Sequence, residues 1–285
     1  MKPLSPALQA PVSTLALSPA AAARRIRPAA MIRIVRYVLA DILQSRFVIG
    51  YCIGLLAISF GLFGLSDSPV KGLASLLNLV LLIVPLASLM FPAIHLYHAS
   101  EFIELMAAQP LRRSVILGSE YLGLVLAMTA AVLIGIGIPV AIYLPEPGGW
   151  ALCLAAAGLT WVGTSLALLV AVSARDKARG IGIVLLIWLY FALLYDALVL
   201  LLMFAFADYP MEQPMLLLMA LNPIDLARVA VMLQLDLAAL MGYTGALFRE
   251  FLGAGPGIAA AGGMTLLWIL LPLGLAFRRF SRKDL

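Results

Sequence analysis

Six long apolar runs constrain this chain more than any other feature. They lie near residues 47–65, 70–96, 115–143, 149–173, 180–207 and 258–277. Each holds about twenty or more mainly apolar residues, the length a helix needs to cross a hydrocarbon core ~30 Å thick. Inside lipid a helix satisfies its own backbone hydrogen bonds, so the runs predict an all-α polytopic membrane protein with six transmembrane helices. Composition agrees. Of 285 residues, 64% are hydrophobic and 12% charged, where a soluble domain carries roughly a quarter charged. Pro85 and Pro92 in the second run, Pro139 in the third and Pro272 in the sixth are expected to kink their helices.

Charge placement sets the expected orientation. Sixteen of the nineteen Lys and Arg residues fall in the N-terminal region through Arg46, the 97–114 and 174–179 connections, and the tail after span six. By the positive-inside rule these segments and both termini are cytoplasmic. The other connections hold only Lys71, Arg228 and Arg249, against seven acids. The net charge of +5 therefore reflects membrane topology and does not point to nucleic acid. Cys52 and Cys153 both lie in apolar runs, which argues against a disulfide framework.

The ends and one loop need separate accounts. Residues 1–30 are rich in Pro and Ala, and their arginines follow the apolar part, which is the wrong order for a secretory signal. Two readings stay open: a disordered N-terminal extension, or translation starting at Met31. Residues 31–285 then form one transmembrane domain. Ile32, Val35, Leu39 and Ile42 recur at three- and four-residue spacing, with Arg33, Arg36 and Gln44 elsewhere, which predicts an interfacial helix over 31–46. Residues 208–257 are too long for a mere connector. Asn222 is a good N-cap, Pro223 suits the first helical position and Asp225 suits the first turn. Asp225, Arg228, Gln234 and Asp236 argue against a seventh span. The loop is expected to form one or two amphipathic helices resting on the outer surface.

The sequence holds no GxxxxGK[ST] phosphate loop, HExxH, CxxC or GxSxG, and two histidines in all. No catalytic residues are assigned, and this chain alone is not expected to be an enzyme. Copper(I) favours thioether sulfur, which makes Met211, Met215 and Met219 candidate ligands, in a stretch that also holds Met203, Met232 and Met241. Methionine more often fills apolar gaps. His95 and His98 near the end of span two read as neutral groups bonded to headgroups or backbone before they read as a metal site. Three polar groups fall inside spans: Asp196, Glu120 and Asn78. An intramembrane acid is a functional candidate by default. Asp196 is expected either to hydrogen-bond another helix, through a Tyr or Asn78, or to line a polar conduit. Gly50 and Gly54 form a GxxxG face.

The remaining feature is the connection between spans two and three. Glu101 and Glu104 sit on a short helical stretch, Gln109-Pro110 turn the chain, and Arg112 and Arg113 precede the next span. Alone, this reads as a solvated loop obeying the positive-inside rule. Together, ELMAAQPLRRSVILGSEYLG at 104–123 and NPIDLARVAVMLQLDLAALMGYTGALFREF at 222–251 resemble the ABC-2 type permeases. More narrowly they resemble the NosY-type permeases of the NosDFY system, which supports copper-site assembly in nitrous-oxide reductase. Three positions depart from the family pattern: Glu120 stands where Lys is frequent, and Phe102-Ile103 replace a Gly-Thr pair.

The resemblance implies a multi-pass protein of the inner membrane, working as a homodimer with two cytoplasmic NosF-like ATPases that bind ATP and Mg. Glu101, Glu104, Gln109, Pro110, Arg112 and Arg113 would receive the ATPase. A periplasmic NosD-like β-helix protein would dock on the outer loop at Asn222, Pro223, Asp225, Arg228 and Asp236. No cofactor is expected on this chain itself, with copper possible only in the pathway. An exporter of lipid, drug or polysaccharide, and a non-transporting membrane anchor, are the alternatives.

Overall fold

The computed structural model describes residues 28–100, 103, 105, 113–174, 176–206, 218–235 and 254–282. Glu101, Glu104, Gln109, Pro110, Arg112, Asp236, Met211 and Met215 lie outside the described residues, as do residues 1–27. The elements in chain order are α1 (Pro28–Leu43), α2 (Arg46–Leu65), α3 (Pro69–His98), α4 (Arg113–Val132), α5 (Ile138–Tyr143), α6 (Pro147–Ser173), α7 (Lys177–Leu189), α8 (Tyr195–Ala205), α9 (Pro223–Gln234) and α10 (Ala254–Arg282). A π-helical turn, Leu133–Gly137, joins α4 to α5, and a second, Tyr190–Leu194, joins α7 to α8. Six helical stretches are long and apolar enough to span a membrane: Arg46–Leu65, Pro69–His98, Arg113–Tyr143, Pro147–Ser173, Lys177–Ala205 and Gly257–Arg282.

Spans two, three and four form the centre. Their most apolar stretches are 56%, 56% and 61% buried, whereas spans one, five and six reach only 22%, 11% and 17%. Small residues let the central helices approach. A Cβ added at Gly163 of span four would lie 2.9 Å from the Ser88 Cβ of span two. Tyr121 of span three shares a 2.9 Å hydrogen bond with Ser165 of span four. Span two runs as one helix through Pro85 and Pro92, and span six through Pro272. In span three the π turn ends two residues before Pro139. A proline takes the N–H from the carbonyl four residues back and crowds it, here that of Gly135, so the wider turn falls where the ordinary pattern fails.

Spans one, five and six are peripheral, and the connections divide between the two ends of the bundle. One end carries the basic segments and the other the short connections at 66–68 and 144–146. At the basic end α1 packs on span three. Val38 and Ile42 are buried in a cluster with Phe91, Leu96, Ile116, Leu124 and Phe280. A Cβ at Gly123 would collide with Val38. The buried stripe differs slightly from the expected one: Ile34 and Val38 carry the contact and Ile32 is exposed. The helix also begins at Pro28, three residues inside the segment expected to lack structure. Both cysteines are free.

Candidate functional site

The connection between spans five and six contains the feature with the clearest functional geometry. Asn222 caps α9 as its sequence predicts: its Oδ1 accepts from the Ile224 N–H at 3.0 Å. Pro223 follows at the first helical position and Asp225 sits in the first turn. The helix closes at Gln234.

Its location differs from the expected one. Rather than resting on the surface, α9 enters the bundle. Pro223, Ile224, Leu226, Ala227, Val229, Val231 and Leu233 are buried. The N-terminal end meets the spans near their midpoints. Asn222 Nδ2 donates to the Phe191 carbonyl at 3.1 Å, and Phe191 is the central residue of span five, Lys177–Ala205. Trp268, near the middle of span six, donates its indole N–H to the Ala220 carbonyl at 3.1 Å. Pro223 and Ile224 line a small void with Pro85, Leu159 and Trp188. At the other end of α9, Leu235 lies against Gly148, the second residue of span four. The twelve residues of α9 cover about 18 Å at 1.5 Å per residue, roughly half of a bilayer core of ~30 Å. The helix is therefore re-entrant, running from mid-membrane out to the end of the bundle opposite the basic connections.

Its polar face is held by an ionic cluster. Arg228 Nη1 donates to Asp225 Oδ1 at 2.8 Å and to Asp196 Oδ2 of span five at 3.4 Å. Asn222 Nδ2 also donates to Asp225 Oδ2 at 2.9 Å. Tyr195 donates its hydroxyl to the Leu218 carbonyl just ahead of α9. Tyr195, Asp196, Asp225 and Arg228 open onto a cavity of about 270 Å³, lined also by Met203 and Met219.

The other polar groups of the spans lie apart from this cluster. Asn78 is exposed on span two and is not the partner of Asp196; Arg228 is. Glu120 is buried in span three, 3.6 Å from His95 Nε2. His98 pairs instead with Lys177 at 2.8 Å, so the two histidines face different elements. Met219 packs with Val229 and Leu233. Among the described residues no three His, Cys, Asp or Glu side chains are grouped to hold a metal. Among the described residues, nothing beyond their own helix backbone and chain neighbours lies within 4 Å of a Cβ added at Gly50 or Gly54. In the connection between spans two and three, Arg113 opens α4. Beyond His98, the Ile103 N–H donates to the Ala99 carbonyl at 2.9 Å. Ile103 is buried in the basic-end cluster, while Leu105 is 70% exposed. Ile103 thus anchors the connection in the bundle.

The described residues thus form a six-helix membrane bundle with a buried helix ahead of its last span. Residues 98–285 match the family described as ABC-2 family transporter protein, and the chain belongs to that family. It is 29% identical over 274 residues to a probable ABC transporter permease protein NosY of Stutzerimonas stutzeri, covering 88% of this chain and 97% of that protein. Against the protein of the same description from Pseudomonas aeruginosa the identity is 29% over 276 residues, covering 88% and 98%.

Proposed function

We propose that this chain is a NosY-type permease subunit that turns ATP hydrolysis by a separate ATPase into work on copper-site maturation of nitrous-oxide reductase. As an ABC-2 permease it acts in a membrane with ATPase partners, and hydrolysis is the partners' reaction. The narrower assignment is supported by its similarity to two NosY proteins over nearly their whole length.

The observation that carries the mechanism is the re-entrant helix. Its N-cap Asn222 and Ala220 just ahead of it are bonded to spans five and six at mid-membrane, and its buried face packs on span four and span two. A tilt of the central spans therefore moves α9 with them. Motion enters at the basic end, which the positive-inside rule makes cytoplasmic. Ile103 ties that connection into the same cluster as Ile116 at the foot of span three and Leu96 in span two. The Asp196–Arg228–Asp225 cluster holds α9 to span five, so it is the latch such motion strains or releases. A periplasmic NosD-like partner would read the change on the outer connection. The open faces of spans one and five supply surface for a second copy. Copper, if carried, is cargo; the cavity beside Met203 and Met219 offers it thioether sulfur.

The test is a strain lacking this chain, assayed for copper in purified nitrous-oxide reductase. Loss of copper, restored by the wild-type chain and not by Arg228→Met, supports the reading. A fully loaded reductase in the deletion strain refutes the copper assignment.

A further inference from the structure

A second cavity, of about 180 Å³, lies at the basic end, lined by Tyr37, Val38, Asp41, His95, Ala99 and Glu120. It sits where α1 meets the ends of spans two and three. Glu120 is 2% exposed, and its Oε2 has no hydrogen-bond partner. The nearest basic group among the described residues is the His95 Nε2 at 3.6 Å, too far for a hydrogen bond. A buried acid side chain without a donor is unfavourable, and among the described residues none donates to the Glu120 Oε2, so the site has the form of one that takes a donor from outside. Asp41, exposed on α1, adds a second carboxylate at the mouth. The described residues offer no three-ligand metal group. The cavity has room for several waters or for one compact cation.

The surroundings narrow the cation. Arg33, Tyr37 and Asp41 follow one another at four-residue spacing on α1, so they share a face. Arg33 and Tyr37 are exposed there. One acid within, a second at the mouth and an arginine two turns away on the same face of α1 complement a zwitterion with its positive end inward. An amphipathic helix at this level lies among lipid headgroups, which the bilayer presents at high local concentration. A quaternary ammonium has no N–H to give Glu120, whereas a primary ammonium has three.

We propose that this cavity binds the primary ammonium group of an aminophospholipid, with Glu120 and Asp41 as its counter-charges and Arg33 beside its phosphate. The test reconstitutes the full chain in nanodiscs of equal phosphatidylethanolamine and phosphatidylcholine, and counts retained lipid by native mass spectrometry. One phosphatidylethanolamine per chain is expected, preferred by about tenfold, the worth of one charge-assisted hydrogen bond. Glu120→Gln is expected to abolish the preference. Asp41→Asn, on an exposed surface that tolerates the change, is expected to weaken it several-fold. Equal retention of the two lipids by the wild-type chain, or an unchanged preference in Glu120→Gln, overturns the proposal. Displacement of the lipid by equimolar free ethanolamine overturns the lipid as the source of the ammonium.

Discussion

Replacing Asn222 by alanine removes three hydrogen bonds made by one fully buried side chain: to the Ile224 N–H, the Phe191 carbonyl and the Asp225 carboxylate. The lost cap alone costs about 0.5–2 kcal/mol. The Phe191 carbonyl, in a π turn at mid-membrane, loses its side-chain donor, and a buried group left unsatisfied costs about 1–3 kcal/mol. Hydrogen bonds measured inside membranes average only about 0.6 kcal/mol each, which favours the low end. A total of about 2 kcal/mol raises the opening constant of α9 roughly thirty-fold. The assay is hydrogen–deuterium exchange of residues 223–234 in nanodiscs, with the central spans as internal control. Asn222→Ser keeps an acceptor for the Ile224 N–H and loses the amide donor, so about half the effect is expected. If Asn222→Ala leaves exchange in 223–234 within threefold of wild type, the mid-membrane anchor does not hold the helix and the docking argument fails.

Other outcomes follow from the same geometry. Arg228→Met leaves two carboxylates facing one cavity; because Asp196 and Arg228 are partly exposed, the loss of α9 protection is expected at about 1–2 kcal/mol by the same exchange assay. Gly163→Ala forces a Cβ to within 2.9 Å of the Ser88 Cβ and is expected to cost about 1–3 kcal/mol in thermal unfolding, with partial relief from Ser88→Gly. Cysteine placed at Ser100 should react with an impermeant maleimide only after cells are opened, and cysteine at Glu146 should react in intact cells.

Span count and the helical character of the outer connection were legible in the sequence, because hydrocarbon thickness and helix capping act through local residue types. The Asn222-Pro223-Asp225 cap was legible for the same reason. The depth of α9 was not. Asp225 and Arg228 argue against membrane burial when each is taken singly, and their mutual pairing with Asp196, thirty-two residues from Arg228, is a tertiary fact. Trp268 offered the missed signal, since an indole N–H in mid-span needs an acceptor; the Ala220 carbonyl supplies it. The Phe191 carbonyl could not be foreseen, because the π turn in span five has no proline to announce it. Glu120 stood out as an acid in an apolar run, yet its neighbours Tyr37 and Asp41 come from a separate helix whose packing no local pattern specifies.

The central claim is that motion at the basic connection reaches the re-entrant helix across the membrane. The permease, assembled with its ATPase partner in nanodiscs, tests it when exchange of residues 223–234 is compared between the nucleotide-free state and an ATP-bound state blocked in hydrolysis. The account predicts that protection of 223–234 changes together with that of the basic-end turn around Ile103. A change confined to the basic end, with 223–234 identical in both states, would contradict it.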